Sequence, residues 1–133
     1  MNESMRVLIA SDQDIVTARQ KGRTLASSLG FLATDATLIA TAISELARNI
    51  VTYAKKGELS IRSVETRSQQ GIMIVAKDEG PGIQNIESAL RDGYSTSGSL
   101  GLGLPGVKRL MDEFEIVSVV GVGTTVTVKK WKN

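Results

Sequence analysis

The sequence has no cysteine and no histidine among its 133 residues. The first absence excludes disulfide scaffolding, thiol nucleophiles and cysteine-held zinc. The second excludes every mechanism in which an imidazole carries a proton or a metal. This usage fits a reducing cytoplasm. Aromatic residues are nearly as scarce: Phe31, Tyr53, Tyr94, Phe114 and Trp131 are the whole set, too few for a base-stacking surface. Sixteen basic residues against fourteen acidic ones leave a formal charge of +2, too small to direct the chain to nucleic acid. Apolar runs last only a few residues, far short of the roughly 20 that a spanning helix needs, and the start reads as neither a secretory nor a transit segment. The expectation is one domain over residues 1–133, without linker, repeat or low-complexity stretch, with no membrane role and a cytoplasmic location.

Glycine is what the chain has in quantity, 13 residues concentrated from Gly80 onward, and it buys backbone shapes that other residues resist. Before them come the scaffold elements. Arg6 to Ala10 is a short apolar run of strand length. Ser11 and Asp14 form a capping-box arrangement ahead of Ile15, Ala18, Gly22, Leu25, Ala26 and Leu29 at helical spacing, and Gly30 supplies a left-handed stop. Thr34 and Asp35 read as the start of a second helix, closed by Lys55, Lys56 and Gly57. Within it Leu38, Ile39, Ala42, Ile43, Leu46, Ala47 and Ile50 give a broad apolar face. Glu58 to Arg67 and the apolar run Ile72 to Ala76 predict a hairpin, as do Ile116 to Val120 and Thr124 to Val128 around Gly121 and Gly123. A short helix is expected near Ile86 to Leu90, and another where Leu104, Val107, Leu110 and Met111 recur. The order predicts an α/β two-layer sandwich: a mixed, mostly antiparallel sheet of about five strands with three main helices on one face.

Glu45 and Asn49 lie four residues apart on one side of the second helix. A carboxylate there accepts a proton or holds a water, and an amide oxygen is a hard metal ligand. Taken alone, the pair reads equally as ordinary solvated helix surface. Asp78 follows the Ile72 to Ala76 strand, so the sheet would hold its carboxylate toward a cleft as acceptor for an exocyclic amine. Gly80 and Gly82 would bring the backbone close to a flat ligand, or simply make a turn. Thr124, at the start of the last strand, offers a hydroxyl to the same ligand, or is a plain strand former. Gly98 to Gly106 reads GSLGLGLPG, in which Gly101, Gly103 and Gly106 alternate with Leu102 and Leu104 and Pro105 suits a first helical turn. A glycine run that opens a helix makes an anion site suited to phosphates, to which Lys108 and Arg109 would add charge. It is neither a Walker A loop nor a dinucleotide fingerprint.

Together these pieces resemble the ATPase and kinase superfamily that joins DNA gyrase, the Hsp90 chaperone, histidine kinases and the MutL repair protein. Glu45-x-x-x-Asn49 looks like its N box, Asp78-x-Gly80-x-Gly82 its G1 box, Gly101-x-Gly103 its G2 box and Gly123-Thr124 its final GT element. The order is right and nearly the whole chain is covered. The stretches ISELARNI, DEGPGI and GYSTSGSLGLGLPGVKRLMDEF look most like the serine/threonine kinases of the bacterial stressosome, and next most like anti-sigma factor kinases. The resemblance implies a Bergerat-type ATP-binding fold using ATP and Mg2+. It implies Glu45 as general base, Asn49 as magnesium ligand, Asp78 as acceptor of the adenine amino group and Gly80 and Gly82 as the turn beneath the ring. Gly101, Leu102, Gly103 and Leu104 would form the hinge of an ATP lid, with Lys108 near the phosphates and Thr124 a second adenine-side contact. The implied substrates are a STAS-domain antagonist protein and the STAS-domain scaffold of the stressosome, and the implied partner is a PP2C-type phosphatase that the kinase switches on.

Departures from the family pattern shape that picture. Ser44 stands where histidine kinases often carry histidine, and no phosphoaccepting histidine exists, so autophosphorylation is not expected. Ser99 and Leu100 stand where anti-sigma kinases tend to carry an arginine, which leaves Arg91, Lys108 and Arg109 to clamp the γ-phosphate. Two readings of other classes stand beside the kinase. One is an anti-sigma factor or nucleotide-dependent binding module that sequesters a partner with weak kinase activity. The other is a structural domain whose glycines serve only turns.

Overall fold

Five strands pair antiparallel throughout, in the spatial order β1-β2-β3-β5-β4. The computed structural model describes residues 4–90 and 103–132. β1 (Ser4–Ile9), β2 (Gly57–Glu65) and β3 (Gln70–Asp78) form a meander, and β5 (Gly123–Trp131) inserts between β3 and the edge strand β4 (Glu113–Val119). Both predicted hairpins are present. The expected mixture of pairing directions resolves into a purely antiparallel sheet, because the chain beyond β3 reaches the far edge before β5 returns beside β3. Leu59, Ile61, Ile72, Ile74, Val126 and Val128 alternate onto one face and are at most 4% exposed. On the other face Met73 and Val75 of β3 are only half-buried, so the continuous apolar run is core on one side and flanked by neighbouring strands on the other.

The helices α1 (Asp12–Ser28), α2 (Ala33–Asn49), the single-turn α3 (Ile86–Ala89) and α4 (Gly103–Leu110) complete the order. α1 starts as expected: Asp14 Oδ2 accepts the backbone N–H of Ala10 at 2.8 Å and of Ser11 at 3.1 Å. It ends as expected too, with Gly30 at φ +93 and Phe31 N–H donating back to the Ala26 carbonyl. That return contact, with Phe31 buried, brings α2 in two residues earlier than a cap at Thr34 predicts. Leu32 occupies the cap position without a side-chain bond, and Asp35 lies in the first turn. α1 crosses α2 at Gly22, where an added Cβ would run into Ile43 Cδ1.

α2 is the centre of the helical layer. From Ala42 to Ala47 every residue is buried, Ser44 and Glu45 included. Ile39, Ile43 and Leu46 are at most 1% exposed, each contributing roughly 1.5–3 kcal/mol by leaving water. The helix does not run as α to its predicted close. After Asn49 the ladder widens into a π-helical turn, Ile50–Ala54, and it is Lys55, at φ +71, that takes the left-handed stop, while Gly57 opens β2.

Candidate functional site

The end of β3 sets the floor of a cleft of about 170 Å³. Antiparallel register places Asp78 directly opposite Thr124 of β5, and both line the cleft with Ala76 and Val126. Asp78 Oδ1 accepts the Gly80 N–H at 2.8 Å, a short turn that fixes the carboxylate's orientation. The Thr124 hydroxyl lies 2.8 Å from Ser118 Oγ, which also accepts the Ile83 N–H at 2.7 Å. One hydroxyl thus ties β4, β5 and the loop after β3 together at the cleft wall.

Two glycines of that loop answer a steric need. A Cβ on Gly80 would stand 2.6 Å from Ala54 Cβ, and Gly82, at φ +79, would put one 2.5 Å from the Val119 carbonyl oxygen. The loop therefore lies flat between the π-helical turn and the β4–β5 hairpin, where Gly121 N–H donates to the Pro81 carbonyl at 2.8 Å. Gly123 has φ +148, and a Cβ there would collide with the Asp78 carbonyl oxygen. Gly123→Ala should push β5 off β3 beside Asp78 and Thr124. It is expected to cost about 1–3 kcal/mol of stability and to weaken nucleotide binding in parallel, as read by denaturant unfolding and calorimetric titration. Unchanged values in both would show that the strand pair yields without strain.

The opposite wall is helical. Leu46, Asn49, Ile50, Tyr53 and Ala54 face the cleft from α2 and the π-helical turn, and Gly103, Leu104 and Pro105 face it from the start of α4. Gly103, at φ +45, is the first residue of α4, and its N–H donates to Glu45 Oε2 at 3.1 Å. Glu45 Oε1 accepts from Arg48 Nη1 at 2.7 Å. Glu45 is 4% exposed and is not itself part of the cleft lining. The sequence predicts it on an open cleft face, away from the apolar stripe. The structure places it underneath α4 instead, because α4 docks on α2 and turns its own N-terminus onto the carboxylate.

Lys108 and Arg109 fall in the last turn of α4 and are exposed, not in its first turns as the sequence predicts. α4 spans Gly103–Leu110, so Lys108 stands about 7.5 Å along its axis from Gly103, which meets the cleft. Gly101, Leu102 and the rest of the predicted lid from Ser95, with Arg91, lie outside the described residues. Arg48, Tyr53, Ala54, Ile83 and Ser118 were not singled out in the sequence. Only Arg48 carried a signal, an opposite charge three residues from Glu45. The others reach the site through the π-helical turn and strand register, which no local pattern shows.

The model of the histidine kinase-like ATPase domain matches residues 8–130. The chain belongs to that family. Among curated histidine kinase-like relatives, the serine/threonine-protein kinase RsbT of Bacillus subtilis is 54% identical over 131 residues, 98% of each chain. The anti-sigma F factor of Halalkalibacterium halodurans is 32% identical over 101 residues, covering 72% of this chain and 69% of its own. In shape, a crystal structure of the RsbU and RsbW domains of a Mycobacterium tuberculosis protein superposes with a TM-score of 0.67 at 19% identity. That match covers all of this chain and 33% of the other, and it supports the shared fold. The likeness to RsbT over almost the full length puts this histidine kinase-like domain in the protein-serine/threonine kinase class of enzymes. Among its described residues no helix is long and apolar enough to cross a membrane.

Proposed function

We propose that this protein transfers the γ-phosphate of ATP to a serine or threonine hydroxyl of STAS-domain proteins, an antagonist and the scaffold of the stressosome. We further propose that its release switches on a PP2C-type phosphatase, and that residues 1–133 act as one kinase domain in the cytoplasm. The observation that carries the reading is Glu45: a carboxylate buried beside the N-terminus of α4, one turn before Asn49, while Asp78 and Thr124 define the other end of the cleft. A nucleotide sensor needs Asn49, Asp78 and the glycines alone. Glu45 adds the group that transfer requires.

Asp78 would accept the adenine amino group with Thr124 beside it, while Gly80 and Gly82 let the backbone pass beneath the ring. Gly101, Leu102, Gly103 and Leu104 would meet the phosphates at the mouth of α4, with Lys108 the nearest described cation along that helix. The donor set fits a magnesium ion: Asn49 supplies one hard oxygen at the cleft wall, and such ions keep most of their shell for phosphates and water. When bound, the ion would neutralise charge on the phosphates. The acceptor oxygen attacks the γ-phosphorus, its bond to the β,γ-bridging oxygen breaks, ADP leaves, and the hydroxyl proton passes to Glu45. Burial of Glu45 keeps water from competing for that role.

Incubation with γ-labelled ATP, magnesium and a candidate STAS-domain protein, followed by mapping of the label, tests the proposal. Label on one serine or threonine of the acceptor is the expected result. A stable complex without transfer would favour the binding-module reading, which the similarity to anti-sigma F factors supports.

A further inference from the structure

The ion pair within α2 is lopsided. Arg48 Nη1 lies 2.7 Å from Glu45 Oε1, and the carboxylate side chain is 6% exposed against 35% for the guanidinium. Each carboxylate oxygen has its own donor, Arg48 for Oε1 and the Gly103 N–H for Oε2. The donors differ in what else claims them. Gly103 opens α4 and borders the cleft, and its N–H, which now points at Glu45 Oε2, is a helix-start donor that an anion bound in the cleft would compete for. Arg48 sits on Glu45's own helix, three residues on, is not part of the cleft lining, and keeps its hold whatever α4 does.

We propose that Arg48 is the positioning residue for phosphoryl transfer. It pins Oε1, so that when nucleotide phosphate draws the Gly103 N–H away, Oε2 is left free and already oriented to take the acceptor's proton. The base is thereby armed by the arrival of its own co-substrate. This rests on the reading of Glu45 as general base. A planar guanidinium suits the task because its donors are held in a fixed fork, whereas a lysine at the same position would be a mobile point charge.

The test is a double-mutant cycle on the full chain: Arg48→Ala, Glu45→Ala and the pair, with Arg48→Lys and Arg48→Met beside them. The readouts are label transfer from γ-labelled ATP to the STAS-domain acceptor and the KM for ATP. Arg48→Ala is expected to lower kcat by about 100-fold, the scale of a misplaced catalytic group, with KM for ATP little changed. Arg48→Lys should recover part of the rate. In the Glu45→Ala background, removal of Arg48 should have no further effect. Equal losses in both backgrounds would make Arg48 an independent contributor and overturn the proposal, as would a loss confined to KM or a parental rate in Arg48→Ala. Should the alanine variant melt at working temperature, Arg48→Met keeps the packing stem and takes its place in the cycle. A parental rate in Glu45→Ala would fell the general-base reading itself, an outcome distinct from a slow Glu45→Ala beside a fast Arg48→Ala.

Discussion

Glu45→Ala should bind ATP and magnesium much as the parent does and transfer phosphate roughly 100- to 10,000-fold more slowly, the loss that follows removal of a positioned base. Binding survives because Asp78, Thr124 and Asn49 remain in the cleft wall, and Glu45 is not part of that wall. The fold should survive as well. The Gly103 N–H loses its acceptor, a cost of about 1–3 kcal/mol if the group stays dry, but Gly103 borders the cleft and water can reach it. Arg48, already one-third exposed, can turn to solvent, and alanine is a better helix former than glutamate. Affinity for the STAS-domain acceptor should also hold, since that contact is expected on the outer surface around the cleft mouth and only the reacting hydroxyl need approach Glu45. ATP affinity, acceptor affinity and initial rate measured on one preparation decide the matter. An unchanged rate removes Glu45 from the chemistry, and a joint loss of all three makes it a structural residue.

The second large effect belongs to Asp78. Asp78→Asn preserves shape and can still accept the Gly80 N–H that now bonds Oδ1, so the loop after β3 keeps its course. What changes is the charge facing a cleft whose floor is otherwise Ala76, Thr124 and Val126. A hydrogen bond to a charged acceptor contributes about 1.5–3 kcal/mol, which converts to roughly 10- to 150-fold in affinity for ATP. Calorimetric titration should show that loss with an unaltered unfolding midpoint. Parental affinity would mean that the adenine amino group is recognised elsewhere.

Much of this architecture was legible because local chemistry and tertiary structure agree. Ser11, Asp14 and Gly30 bracket α1 by bonds within a few residues of each other, and the alternation along β5 states which face is core. The glycines of the Asp78 loop were legible as a turn, and their contacts with Ala54 and Val119 explain why no side chain stands there. What escaped the sequence depends on partners distant along the chain. Leu32 caps α2 only because Phe31 is drawn back against α1. Glu45 is buried only because α4, more than fifty residues away, brings Gly103 onto it. A polar residue on a helix reads as surface until the element that covers it is known. Lys108 and Arg109 were misplaced for a simpler reason, since α4 has only eight residues and ends at Leu110, so that its second turn is also its last.

The π-helical turn Ile50–Ala54 makes the cleft sensitive to arithmetic. A ladder closed from i to i+5 accommodates about one residue more than an α-helix over the same span. Delete one of those five and the segment can rewind as α over the same span, which leaves the chain beyond in place and removes the bulge from the cleft wall. Tyr53 and Ala54 would leave the wall they now form, and Gly80 would lose the neighbour it was small enough to meet. Replacing the exposed Thr52 changes none of this. The shape of the cleft wall is thus set by how many residues separate Asn49 from Lys55 as much as by which residues they are.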